Sequence, residues 1–178
     1  TAVTNVTAGL ASLSRPATTQ VFHHLMQQLP ALVSAMHAHL QPWVPDLLDL
    51  VRMHWHSPSM LLQTIALLEQ LTSFLRDALT PYTAELIPRL AAVIETDNSS
   101  QRVLSLRALS ALDGLGPLLH EYTSLLLPAL LRLASQADPG SRAQEEALKA
   151  LQRLAAHVPL SRASSGLVPV LLLSLIHI

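Results

Sequence analysis

Apolar residues recur along this chain at helical spacing. Between positions 103 and 115, Val103, Leu104, Leu106, Ala108, Leu109, Ala111, Leu112 and Leu115 cover most of a helical circumference. A helix apolar on that many sides needs neighbours on more than one of them. Related runs, Ile65 to Leu71 and Leu148 to Leu154, lie before and after it. Polar or proline-bearing turns separate the runs: Ser57-Pro58, Thr80-Pro81, Asp97-Asn98-Ser99-Ser100 and Asp138-Pro139-Gly140-Ser141. A hydroxyl residue before proline suits the first turn of a helix, and Ser141 with Gln144 has the spacing of a capping box. The pattern predicts helices near 17–40, 42–56, 58–78, 81–95, 100–117, 121–135, 141–158 and 163–177.

These helices repeat. Leu86-Ile87-Pro88-Arg89-Leu90 returns as Leu126-Leu127-Pro128-Ala129-Leu130 and as Leu167-Val168-Pro169-Val170-Leu171, with the prolines 40 and 41 residues apart. Trp43, Tyr82 and Tyr122 follow at intervals of 39 and 40, and Leu32, Leu71, Leu112 and Leu154 at 39, 41 and 42. A period in this range marks stacked supersecondary units, none of which buries its own apolar face alone. The expected fold is all-α, an α-solenoid of antiparallel helix pairs. Its divisions are a partial repeat over 1–41 supplying the second helix of a preceding unit, repeats over 42–80, 81–120 and 121–160, and the start of another over 161–178. Pro45, Pro88, Pro128 and Pro169 should bend the first helices or sit in their opening turns, and Pro30 should cost its helix a hydrogen bond or kink it.

Composition agrees. Of 178 residues, 50% are apolar, 40 are leucine, 3% are aromatic and only five are glycine, which suits helices and disfavours twisted sheets with tight hairpins. Net charge is −1, and the eleven basic residues are scattered singly, so nucleic-acid binding by phosphate neutralisation is not expected. No cysteine is present, which removes disulfides and thiolate zinc sites. The longest uncharged apolar run, Gly166 to Ile178, is too short to span a bilayer, so no direct membrane insertion is expected. The chain begins with Thr1 and ends inside an apolar stretch, and it reads as a piece of a longer polypeptide.

Two helices per repeat, a period near 40, and an Asp-to-Arg turn into the second helix resemble the HEAT repeat. The turn residues are Asp97 with Arg102, and Asp138 with Arg142. The order of features from Gln27 to Pro169 goes further. Gln27-Gln28-Leu29, Leu32-Val33-Ser34, Pro42-Trp43, Gln63-Thr64-Ile65, Leu68-Glu69-Gln70, Tyr82 to Pro88, Tyr122 with Leu125 to Pro128, and Arg153-Leu154 together resemble the helical solenoid of the target of rapamycin (TOR) serine/threonine protein kinases. That resemblance implies a non-catalytic scaffold segment whose partners are proteins, namely TOR complex subunits and a second TOR copy. It also implies nutrient and growth signalling in the cytoplasm and at endolysosomal or vacuolar membranes, and Asp–Arg bridges between neighbouring repeats. The alternative is a HEAT adaptor or importin-β-like transport receptor.

Candidate chemistry is sparse, and no catalytic, cofactor-binding or metal-binding residue is assigned. The sequence carries no Gly-rich nucleotide loop, His-Arg-Asp loop or Asp-Phe-Gly, and its single lysine, Lys149, lies on a repeat helix. Of the nine histidines, His37 and His39, and His54 and His56, stand two apart, which points them to different helix faces. Trp43, Tyr82 and Tyr122 are read as inter-repeat packing and not as a peptide-gripping stripe. Arg89, Arg102, Arg107 and Arg132 either line a surface that recognises acidic partner segments or, the reading adopted, are solvated helix faces.

Overall fold

The computed structural model describes residues 15–157. Seven principal helices follow one another: α1 (Arg15–Met36), α2 (Val44–His54), α3 (Leu61–Phe74), α4 (Thr83–Thr96), α5 (Val103–Leu115), α6 (Thr123–Gln136) and α7 (Arg142–His157). The described residues contain no strand. Helices expected from the apolar pattern are found within a few residues of their expected limits. The expected helix at 163–177 and the partial repeat at 161–178 lie outside the described residues.

The helices form two layers. In one, α1, α3, α5 and α7 pack in sequence, each on the next; in the other, α4 packs on α6. Across the layers α2 packs on α3, α4 on α5, and α6 on α7. Packing therefore runs between neighbours, and neither α1 nor α2 packs extensively on α6 or α7. The fold is an all-helical, solenoid-like stack whose core extends as a strip from Val33 to Leu154 instead of closing into a ball. Ile65, Leu67, Leu68, Leu71, Leu79, Ile87, Leu90 and Leu115 are fully buried along it. Each such side chain contributes about 1.5–3 kcal/mol against the entropy of ordering.

Each first helix of a pair is entered through a 3₁₀ turn, His37–Trp43, Thr80–Tyr82 or Gly116–Tyr122. Its final aromatic, Trp43, Tyr82 or Tyr122, occupies the N-cap position with φ near −100° in all three cases (−97°, −104° and −104°). The repeated aromatic thus marks one structural position. Pro45 sits in the first turn of α2, as expected. Pro88 and Pro128 lie inside α4 and α6, where each leaves the carbonyl four residues earlier without its helical donor. Ala84 and Ser124, which carry those carbonyls, are exposed, so water can satisfy them. Helix α1 continues through Pro30.

Two helix starts solve one problem differently. At α7, Ser141 Oγ accepts the Gln144 N–H at 3.3 Å, while Gln144 Oε1 accepts the Gly140 N–H at 2.8 Å. That is the expected box, with the glutamine reaching one residue further back. At α5 the N-cap residue is Arg102, which has no acceptor to offer. Asp97 acts instead, from the end of α4. Its Oδ2 accepts both the backbone N–H and the hydroxyl of Ser105 at 2.9 Å, and its Oδ1 accepts from Ser99. This corrects the expected bridge to the next repeat: Asp97 is buried inside its own unit because a free helix start there needs it.

Candidate functional site

Side chains that join successive pairs fall into two groups. Between the first and second pairs the joints are dense. On the outer layer Arg52 of α2 grips Glu85 of α4 in a forked pair, with Nε at 3.0 and 3.1 Å from the two carboxylate oxygens and Nη2 at 2.7 Å. These hydrogen bonds hold the Glu85 carboxyl below its ordinary range and raise the Arg52 pKa. Arg89 also reaches Glu85, at 3.0 Å, and its guanidinium lies 5.6 Å from the centre of the Trp55 ring. Arg89 is therefore half-buried packing, not the solvated arginine expected from sequence.

On the inner layer Glu69 of α3 accepts from Arg107 Nη1 and from Ser110 Oγ of α5, both at 2.8 Å. Arg107, whose side chain is 42% exposed, keeps the expected solvated face while tying α5 to the preceding unit. Arg76 Nε donates to the Gly114 carbonyl at 2.6 Å, capping the end of α5 with a cation where the helix dipole is negative. Gly114 allows the two helices to close: a Cβ there would lie 2.5 Å from Thr72 Oγ1 and 2.9 Å from the Thr72 carbonyl carbon.

Between the second and third pairs the joint is open. One period of 41 residues after Glu69, Thr72 and Arg76 come Ser110, Asp113 and Pro117. Ser110 is too short to reach a partner across the gap, Asp113 is charged where Thr72 was compact, and Pro117 has no donor. All three border a cleft of about 360 Å³ between α5, α7 and the turn before α6. Its floor is leucine: Leu109, Leu112, Leu126, Leu130 and Leu154, each at most 6% exposed. At the mouth Arg153 of α7 pairs with Asp113, and Glu146 pairs with Lys149 at 2.8 Å. A second depression of about 440 Å³ adjoins it at the turn end and shares Leu106 and Arg142 with it. The cleft has the size and apolar lining of a binding site, and its polar rim is suited to recognition.

The remaining sequence candidates are dispersed. Phe22 and His54 rings lie 4.6 Å apart, His23 Nδ1 meets the Met60 sulfur at 3.2 Å, and burial lowers the His54 pKa. Among the described residues no three His, Asp or Glu side chains converge as metal ligands. Tyr82 and Tyr122 pack on the core strip, whereas Trp43 is 47% exposed and departs from the expected packing role. The cleft itself was missed in the sequence, although the substitution of Ser110, Asp113 and Pro117 for Glu69, Thr72 and Arg76 was there to be read.

No family model matches the chain, so the HEAT label rests on period and helix pairing. Curated relatives do match. The chain is 30% identical over 155 residues to the serine/threonine-protein kinase mTor of Drosophila melanogaster, which covers 86% of this chain. It is 27% identical over 145 residues to the serine/threonine-protein kinase TOR2 of Saccharomyces cerevisiae and 31% identical over 149 residues to the serine/threonine-protein kinase TOR of Arabidopsis thaliana. The chain is related to one segment of the TOR kinases. It spans about 6% of the length of each of these three TOR proteins. The likeness to the Drosophila protein covers 86% of the chain, so it belongs to the array and not to one motif within it.

Proposed function

We propose that this chain is a non-catalytic scaffold segment of a TOR-type serine/threonine kinase, offering protein-binding surface for assembly of the kinase complex. The observation that carries this reading is the extent of the match: most of this chain aligns with several kinases, yet with only about 6% of each. A short segment of neighbour-to-neighbour helix pairs gives extended surface and relative position, which is what a large enzyme needs between its catalytic domain and its partners. TOR complex subunits and a second kinase copy are the partners in this reading, acting in nutrient and growth signalling in the cytoplasm and at endolysosomal or vacuolar membranes. No helix among the described residues is long and apolar enough to cross a membrane.

The test is a chimera in which this chain replaces the matching stretch of yeast TOR2. The intact chimera is expected to co-purify with its complex subunits. A chimera carrying Leu109→Asp, which buries a charge in α5, should lose them while phosphorylating a free peptide at the unchanged rate. Retention of subunits by the Leu109→Asp chimera, or phosphate transfer by the isolated 178-residue chain, would overturn the reading.

A further inference from the structure

The two depressions along the α5–α7 seam form one groove, because Leu106 and Arg142 border both. Helix α5 has 13 residues, so the groove follows an element about 20 Å long, a shape suited to a polypeptide segment and not to a compact small molecule. Its inner part is the leucine floor. Its turn end carries Arg102 and Arg142, and neither has an acidic partner among the described residues, although nearly every other arginine described is bonded to a carboxylate or a carbonyl. Asp138 contributes one exposed carboxylate to the same end. Both guanidiniums lie where α5 and α7 begin; at α5 the Asp97 carboxylate already answers the helix start, so the field of a helix start adds only to that of Arg142.

Arg102 also stands at φ +49°, a left-handed conformation that costs a non-glycine residue about 1–2 kcal/mol. Glycine would fit there without strain, and Gly140 takes that conformation (φ +74°) in the turn before α7. A strained cation is thus kept beside the open α5–α7 seam.

We propose that this groove docks a segment of a partner protein in which a large apolar side chain, seated on the leucine floor, is followed by carboxylates that meet Arg142 and Arg102. The proposal rests on the scaffold reading and names the surface and the partner chemistry within it. The test uses the 178-residue chain as bait for a phage-displayed library of random twelve-residue peptides. Enriched peptides are expected to carry Leu, Ile, Met or Phe within a few residues of two or more Asp or Glu. Their affinity should fall at least tenfold with Arg142→Glu, a variant whose fold is protected because an acid suits the first turn of α7. Arg132→Glu, on the exposed face of α6, should leave affinity unchanged. Arg102→Gly should weaken binding while the melting temperature holds or rises, a pairing that a merely structural arginine would not give. Failure to enrich any peptide, enrichment of basic or uncharged ones, or equal affinity for Arg142→Glu would overturn the proposal. If peptides fail while the TOR2 chimera still needs a folded segment to assemble, the groove falls alone. If acidic peptides bind as described but assembly ignores the segment, the scaffold reading falls and the groove stands.

Discussion

Between α3 and α5 the helix backbones nearly touch, with Gly114 against Thr72 and Glu69 and Arg76 clamped across the contact. Between α5 and α7, built from the same period, the helices stand off, joined at the rim by Arg153 and Asp113 over a leucine floor that no side chain fills. Both seams bury leucine, so hydrophobicity does not decide which one closes. The small residue and the polar clamp do. A stack of related units can therefore leave a recognition cleft at one joint where Glu69, Thr72 and Arg76 give way one period later to Ser110, Asp113 and Pro117.

The comparison is tested most strongly by truncating the same leucine on each side of it. Leu68 and Leu109 are 41 residues apart, and Leu109 borders the cleft while Leu68 is fully buried. We expect Leu68→Ala to cost about 3–5 kcal/mol in urea unfolding, near the top of the range for buried leucine, and Leu109→Ala about 2, because part of its surroundings is already empty. Equal losses would mean that the cleft is filled in solution. Next in size is Gly114→Val. Backbone atoms of Thr72 stand where the new side chain must go, so relief requires separating α3 from α5, at about 2–3 kcal/mol. A tolerated valine would show that the closed seam is not close-packed.

Much of this array was legible beforehand. Leucine spacing and the proline and aromatic beat located the helices, since both follow from how a helix buries one face and how a chain enters it. Ser141 and Gln144 were readable because a capping box is local. Asp97 was misread as a link between repeats, because its true partner, Ser105, lies eight residues on across a turn whose shape a sequence does not give. Arg89 looked solvated because Trp55, the ring it packs on, comes from another unit, and the bond from Arg107 to Glu69 was hidden for the same reason. The open seam was hardest to foresee, since a void leaves no residue of its own. Only setting one period beside the next reveals it.

Acidification separates the caps. Burial pushes the Asp97 carboxyl up, but hydrogen bonds from Ser99 and Ser105 outweigh it and leave the pKa below its ordinary 3.8. A carboxylate with a depressed folded pKa contributes its stability above the unfolded value and loses it as pH falls through the folded one. The urea midpoint of the native chain should therefore drop more steeply between about pH 5 and pH 3 than that of Asp97→Ala, which should already be about 1–2 kcal/mol weaker at neutral pH. Ser141→Ala, whose hydroxyl does not titrate in this range, should lower stability by about 1 kcal/mol without altering the slope. Parallel slopes for the native chain and Asp97→Ala would show that Asp97 does not hold its charge against the α5 start.

The smallest effects are expected at the rims, and they separate a joint from a latch. Glu69 is 20% exposed and accepts from two side chains of the next unit, so Glu69→Ala removes a multiply bonded carboxylate and strands Arg107 and Ser110. We expect a loss of about 1 kcal/mol that 0.5 M NaCl reduces only in part, because hydrogen bonds persist where distant charges are screened. Asp113 and Arg153 are 56% and 50% exposed, so their pair gains little over hydration. Asp113→Ala should change stability by less than about 0.5 kcal/mol and should become silent in salt. A small value there is informative: a pair that contributes little across the mouth parts at little cost, which is what a segment reaching the leucine floor beneath it requires. A loss from Asp113→Ala as large as that from Glu69→Ala would instead make the pair a structural joint, and the two seams would differ in shape without differing in stiffness.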